Sequence, residues 1–244
     1  MFNQKQYTYG LRRGLPIAFG YIPVSFTFGL MATGGGLPVW LTIFISLSNL
    51  TSAGQFAGTE LILTGAGLFE ITLTTFIINI RYMLMSFSLS QKIESKINVM
   101  QRLVFGFGIT DETFTMASLE QGKLSYEFML GLITGPIAGW TLGTAMGALV
   151  SEALPLSISN AMGIALYAMF IAIIVPPSKK SRPILCIVLI SVLITMGLKY
   201  ITIFSFISSG FRIIIATIIS ACIGAALFPI KEESDNIVEE VNRC

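Results

Sequence analysis

Six stretches of this chain run apolar for about 20 residues each: 15–33, 69–89, 128–150, 157–175, 184–203 and 211–228. A helix of that length matches the roughly 30 Å hydrocarbon core of a bilayer. Across the whole chain 54% of residues are hydrophobic and 11% are charged, where soluble domains carry about 25% charge. Mean hydropathy is +0.80. The fold class expected is therefore all-α: a polytopic integral membrane protein with about six to seven transmembrane helices. The first run follows Lys5, Arg12 and Arg13, contains Pro16 and Pro23, and leads into further apolar sequence. It reads as a membrane helix and not as a cleaved signal peptide. Residues 1–230 are expected to form one transmembrane domain, with a short polar cytoplasmic tail at 231–244.

Two segments fit this pattern badly. Residues 37–67 are too long for one crossing, and "NLTSAGQFAGTE" at 49–60 interrupts them. Residues 103–118 are too short to span and carry "TDET" at 110–113. Basic residues orient the chain, because loops rich in Lys and Arg stay in the cytoplasm. Lys92, Lys96, Arg102 and Lys123 mark one such place, Lys179, Lys180 and Arg182 a second, and Lys231 and Arg243 a third. All three fall on one side if the segments after 128 each cross once. Lys5, Arg12 and Arg13 put the N-terminus on that same side only if 37–67 enters and returns as a re-entrant hairpin, with Gly54 and Gly58 where it turns. A repeat at an offset of 117, pairing Gly14-Leu15 with Gly131-Leu132 and Leu37-Pro38 with Leu154-Pro155, points the other way. It implies an inverted pair of three-helix units, as in many transporters, and a full crossing by 37–67.

Net charge is +2, which gives no basic footprint for nucleic acid. Cys186, Cys222 and Cys244 match no metal or disulfide spacing. The chain has no histidine, which removes Ser–His nucleophiles, the HExxH zinc site and a histidine proton relay. No metal and no cofactor are expected. Its only aspartates are Asp111 and Asp235, the second in the tail, so an intramembrane aspartyl dyad is excluded.

Charge buried in an apolar run is the informative exception. Arg81 lies 12 residues after Phe69 and 8 before Leu89, too deep to snorkel to an interface. An Arg at such a depth costs about 2.5–3.5 kcal/mol on insertion scales and by default marks a functional site. Its acceptors are to be sought among Glu60, Asp111, Glu112 and freed backbone carbonyls. Asn79 points to a different face. The competing role is a staple that caps carbonyls between helices. "SNLTSAGQFAG" at 48–58 is poor membrane helix. It suits either an unwound segment lining a cavity or a close-packed polar seam. In "FGITDETF" at 107–114, Thr110 is a cap and Asp111 and Glu112 sit in a first turn. That fits substrate or proton handling, or a helix starting at the cytoplasmic surface. Lys199 and Arg212 lie near segment ends and are expected to snorkel.

Together these islands resemble a known family. "SAGQFAG", "NIRYMLMSFSLS" and "TDETF", with the opening "GLRRGLPIAFGYIPVSFTFGL" at 10–30, are similar to motifs of the AzlC family of branched-chain amino acid permeases. The similarity is carried by residues 10 to about 150. Family members typically continue Asn-x-Arg with histidine, where this chain has Tyr82. The resemblance implies export of branched-chain amino acids, often with a small AzlD-type membrane partner. An amino acid needs a cation or helix N-terminus for its carboxylate, acceptors for its ammonium group and an apolar pocket for its side chain. Substrate binding is therefore expected at Arg81, Asn79, Ser52, Gly54 and Gln55, and proton or ion coupling at Glu60, Asp111 and Glu112. With no P-loop, the energy is expected from an ion gradient, a proton first, or from the substrate's own gradient. The main expectation is a secondary transporter of the plasma membrane. A non-transporting membrane subunit and an intramembrane enzyme are the other classes.

Overall fold

The computed structural model describes residues 2–153, 171, 174–176, 178–179, 181–204 and 206–228. The expected span at 157–175 lies mostly outside these residues, as do Leu154-Pro155 of the repeat, Lys180 and the tail. The described residues are helical almost throughout. Among the described residues five helices are long and apolar enough to cross a membrane, and the chain is an all-α, polytopic membrane protein. It divides into two compact units, Met1–Ile171 and Ala172–Cys244.

Unit one is built on two parallel helices. Helix α1 is Gln4–Gly34, with the Asn3 side chain accepting from the Gln6 amide at its start. Helix α7 is Tyr126–Ala153. Gly131, Gly135, Gly139, Gly143 and Gly147 repeat every fourth residue along α7. A Cβ on Gly131, Gly139, Gly143 or Gly147 would strike the α1 carbonyls of Tyr7, Ala18, Ile22 and Phe26 in turn. Gly10, Gly14 and Gly29 of α1 meet the carbonyls of Phe128, Leu132 and Thr144 in the same way. Small residues let membrane helices approach to backbone contact, where dispersion replaces the missing hydrophobic drive. Helix α1 runs unbroken through Pro16 and Pro23, and α7 through Pro136. Contact positions rise together along both helices, so the pair is parallel. That overturns the offset-117 repeat as an inverted pair: Gly14 and Gly131 are both seam glycines of helices running the same way.

Between them lie two hairpins. Helix α2, Val39–Ser48, leaves the end of α1, where Thr33 Oγ1 is 3.4 Å from Thr42 Oγ1. It runs inward until its Ser46 meets Thr144 of α7. Ten residues rise only about 15 Å, half a bilayer core. The chain breaks at Asn49–Ser52 and returns as α3, Ala53–Leu63. Phe56 of α3 packs edge-on against Phe28 of α1 at 5.3 Å, and Leu63 ends against Gly35, beside where α2 began. Residues 37–67 are thus a re-entrant hairpin and not a full crossing.

Helix α4, Leu68–Ser90, then runs antiparallel to α3, with Thr75 against Gly58 and Asn79 against Gly54. It ends beside the start of α7, where Leu124 pairs with Lys92 and Glu94 through backbone hydrogen bonds of 2.9 and 3.1 Å. A second hairpin follows. Helix α5, Val99–Gly106, starts with an Asn98–Gln101 capping box. Phe105 and Ile109 go in against Phe128, Leu132 and Ile133 of α7. Helix α6, Asp111–Leu119, comes back out. Its last carbonyls are held by Lys92 Nζ, 2.7 Å from the Ser118 oxygen. So 103–118 belongs to a re-entrant hairpin that entered no sequence-based expectation, and α6 starts inside unit one and not at a membrane surface.

The two hairpins enter from opposite ends. One end carries Asn3, whose amide is 3.3 Å from Glu127 Oε1, together with Arg13 and Glu120, 3.7 Å apart, and Lys92. We call it the Lys92 end. The other carries the turns at Gly36 and Gly65, both with positive φ. The basic N-terminus and the Lys92 loop therefore share an end, as the re-entrant topology requires.

Unit two contains α8, Arg182–Tyr200, a 3-10 turn at Thr202–Phe204 and α9, Ser209–Leu227. They form a hairpin in which Gly224 lies against Ile187. Lys199 is in the last turn of α8 and Arg212 in the first turn of α9, at the same end of that hairpin.

Candidate functional site

The tips of the two hairpins meet around α4 and the middle of α7. Asp111, the first residue of α6, puts its Oδ2 2.5 Å from Arg81 Nη1. Arg81 Nη2 donates to the Tyr82 hydroxyl at 3.2 Å, and the guanidinium lies 4.9 Å from the Tyr82 ring centre. The Tyr82 hydroxyl donates onward to the Thr51 carbonyl in the tip of the first hairpin, at 3.2 Å. Arg81 therefore ties the tip of one hairpin to the tip of the other. Its partners are a carboxylate and a phenol, not a row of helix carbonyls. The side chains of Arg81 and Asp111 remain 41% and 46% accessible. A charged pair that open cannot face hydrocarbon cheaply, so it faces water or another polar group.

A hydroxyl in the second tip is held in a matching way. Tyr21 of α1 donates to Glu112 Oε2 at 2.5 Å and shares a hydrogen bond with Thr110 Oγ1 at 2.7 Å. Thr110 is the N-cap of α6, with a capping box to Thr113. Trp140 of α7 stands between the tips. Its ring packs edge-on against Tyr21 at 5.3 Å, and its indole N–H donates to Gln55 Oε1 at 3.0 Å. Gln55 Nε2 in turn donates to Ser46, which bonds Thr144 at 2.7 Å. This polar chain is buried at every member, and each hydrogen bond in it avoids an orphaned polar group.

Beside the tips lies a cavity of about 550 Å³ between α2, α3 and α4. Leu41, Phe44, Ile71 and Phe76 line its sides, and Asn49, Gln55 and Asn79 lie toward the hairpin tip. The Asn79 Oδ1 atom is buried there without a hydrogen-bond partner. A volume in this range suits a small ligand with an apolar body and few polar groups.

Of the expected binding residues, Asn79, Gly54 and Gln55 line this cavity, and Asn79 packs on Gly54. Arg81 sits two residues further along α4. Ser52 is the helix-start residue of α3, with φ +47, the only positive value at a non-glycine among the described residues. Such backbone costs about 1–3 kcal/mol and collects at functional sites. Of the expected coupling residues, Asp111 pairs with Arg81 and Glu112 with Tyr21. Glu60 is exposed near the outer end of α3, two helical turns from the tip, and the structure does not bring it to Arg81. Tyr21, Thr51 and Trp140 escaped the sequence reading, which had Thr110 as a helix cap only, the role it fills at the start of α6. For Tyr21 the signal is a repeated pattern, "YIPVSF" at 21–26 and "YMLMSF" at 82–87.

A family model described as AzlC protein matches residues 16–154, more than half of the chain. This chain belongs to the AzlC family. The matched stretch contains both hairpins, Arg81, both tyrosines and Trp140. The chain is also similar to "Inner membrane protein YgaZ" of Escherichia coli K12. They are 29% identical over 186 residues, 73% of this chain and 75% of that protein. An "Uncharacterized membrane protein" of Archaeoglobus fulgidus is 30% identical over 174 residues, 70% of this chain and 75% of the relative. One of Helicobacter pylori 26695 is 23% identical over 171 residues, 68% and 73% of the two chains. No solved structure matches. Membership in AzlC makes this a membrane protein of the transporter type. Tyr82, where the resemblance implied histidine, bridges Arg81 to the first hairpin.

Proposed function

We propose that this protein is a secondary transporter that exports branched-chain amino acids, namely leucine, isoleucine, valine and also methionine, across the plasma membrane. One observation carries the reading: an accessible Arg81–Asp111 pair between two hairpin tips, on a helix whose Asn79, two residues earlier, lines a largely apolar cavity. A zwitterion can open that pair by substituting for both halves. Its carboxylate takes the guanidinium fork, which suits two parallel hydrogen bonds. Its ammonium group takes Asp111 and the exposed acceptors of the first tip. Its branched side chain fills apolar space. Asn79 Oδ1, unpartnered, is a further acceptor. The glycine at position 54 leaves room for Asn79, and Ser52 and Gln55 hold the tip in shape.

The three carboxylates divide by their partners. Asp111 already faces a cation, the Arg81 guanidinium. Glu112 hydrogen-bonds a neutral hydroxyl, that of Tyr21, with the Asp111 carboxylate close by, and it is the proposed proton carrier. Glu60 is set aside from this role. No step is chemical catalysis: a chain without histidine, and with one aspartate outside its tail, has little to build an enzyme from. A small AzlD-type membrane protein is its proposed partner, tested by co-expression and co-purification.

Export is measured with labelled leucine, isoleucine, valine and methionine in loaded cells, with and without the gene. Faster loss with the gene is expected for these four over the rest of an amino-acid panel. Equal loss across the whole panel would sink the proposal.

A further inference from the structure

We propose that α1–α2–α3 and α4–α5–α6 are two oppositely oriented copies of one unit, and that Tyr21 and Tyr82 are equivalent gate residues, each closing the central site toward one end. Each copy is a long helix followed by a re-entrant hairpin, and the hairpins enter from opposite ends. In sequence, "YIPVSF" at 21–26 and "YMLMSF" at 82–87 share Tyr, Ser and Phe at the same spacing. Further on, "SAGQF" at 52–56 matches "TDETF" at 110–114. Ser52 and Thr110 occupy the residue before α3 and before α6. Gln55 and Thr113, three residues on, are each 1% exposed. Phe56 and Phe114 follow, each packed on its own hairpin's apolar cluster.

The contacts are reciprocal. Tyr21 of the first copy holds the tip of the second hairpin through Thr110 and Glu112. Tyr82 of the second copy holds the tip of the first through the Thr51 carbonyl. Reciprocity of this kind is the signature of a two-fold axis. Inverted copies give a transporter two mirror-related openings about one fixed site. With both latches made, Arg81 and Asp111 sit between the tips. Breaking Tyr82–Thr51 frees the first hairpin and opens the site toward the Gly65 end. Breaking Tyr21–Thr110 frees the second and opens it toward the Lys92 end. This deepens the transport reading and rests on it for its purpose.

The test reads accessibility without substrate, so its failure and that of the transport reading are distinct. Cys186, Cys222 and Cys244 are replaced by serine in the full chain. Reporter cysteines are placed singly at Thr75→Cys, in the first-hairpin cavity, and Thr115→Cys, on α6. Membrane vesicles of both orientations are treated with an impermeant maleimide. The readout is the labelling rate at position 75 from the Gly65 end, divided by that at position 115 from the Lys92 end. Tyr82→Phe is expected to raise the ratio roughly fivefold, as for loss of one hydrogen bond, and Tyr21→Phe to lower it as much. Combining them should bring the ratio back near the parental value. Single variants that shift the ratio the same way, or leave it unchanged, would overturn the assignment. So would a failure of these ring-preserving variants to accumulate, which would make the tyrosines structural.

Discussion

Arg81 Nη1 lies 2.5 Å from Asp111 Oδ2, which joins the long helix α4 to the start of α6, 30 positions further along the chain. Because the pair is nearly half accessible, its worth to folding is small, about 0.2–1 kcal/mol, as for an ion pair open to water. Its worth to binding a zwitterion is larger, since a charge-assisted hydrogen bond is lost with the carboxylate. Asp111→Asn is therefore expected to lower transport per inserted molecule at least about tenfold, with little change in thermal survival in detergent. A variant that instead fails to accumulate, while its surviving molecules transport normally, would make the pair a fold element.

Gln55 links the first hairpin to α7 through Ser46 and Trp140. Gln55→Leu keeps the volume but leaves the Trp140 indole N–H without its acceptor at a site 2% exposed. A loss of roughly 1–3 kcal/mol is expected, seen as a lower denaturation midpoint of the purified protein. An unchanged midpoint would show that the hairpin is held by its apolar contacts alone.

The α1–α7 seam gives a paired test on glycines. At Gly143 an added Cβ would collide with the Ile22 carbonyl and Ser25, whereas Gly106 has nothing within 4 Å. Gly143→Leu should push the helices apart at a cost of about 1–3 kcal/mol or more, and membrane-inserted protein should fall. Gly106→Ala should be neutral or stabilise by about 0.4–1 kcal/mol through the unfolded chain. Equal abundance of the two variants would contradict the seam.

Topology is checked by cysteines placed one at a time in intact cells. Asn3 and Lys96 belong to the Lys92 end, and Gly67 to the opposite one. An impermeant maleimide applied outside is expected to label Gly67→Cys and to miss Asn3→Cys and Lys96→Cys. Lys179→Cys should also be missed, by the charge rule. Labelling at position 3 or 96 would reverse the orientation.

Much of this fold is written in hydropathy. Helices α4, α7, α8 and α9 begin and end within three residues of the apolar runs. Helix α1 begins eleven residues earlier than its run, at Gln4, because Asn3 caps it and its polar first turns lie outside the apolar stretch. The first hairpin was legible because "SNLTSAGQFAG" breaks a run too long for one crossing. The second was not: its two short arms, α5 and α6, each fall below any spanning length, and only comparison with the first reveals it. Arg81 could be singled out by depth. Its partner could not be chosen among Glu60, Asp111 and Glu112, because that depends on which helix start the second hairpin carries to α4. The glycine stripe of α7 was visible at its four-residue spacing, yet Gly131 entered a repeat that the parallel packing of α1 and α7 rules out.

The central claim is that Arg81 receives the substrate carboxylate. Its most direct measurement is efflux of labelled leucine per molecule of membrane-inserted protein in Arg81→Lys and Arg81→Ala. Lysine keeps the charge but loses the planar fork. The expected result is a sharp fall for Arg81→Lys and no transport for Arg81→Ala, with both proteins still inserted. Normal specific activity in Arg81→Ala, with the loss confined to protein abundance, would contradict the account and leave the arginine a structural link between the hairpins.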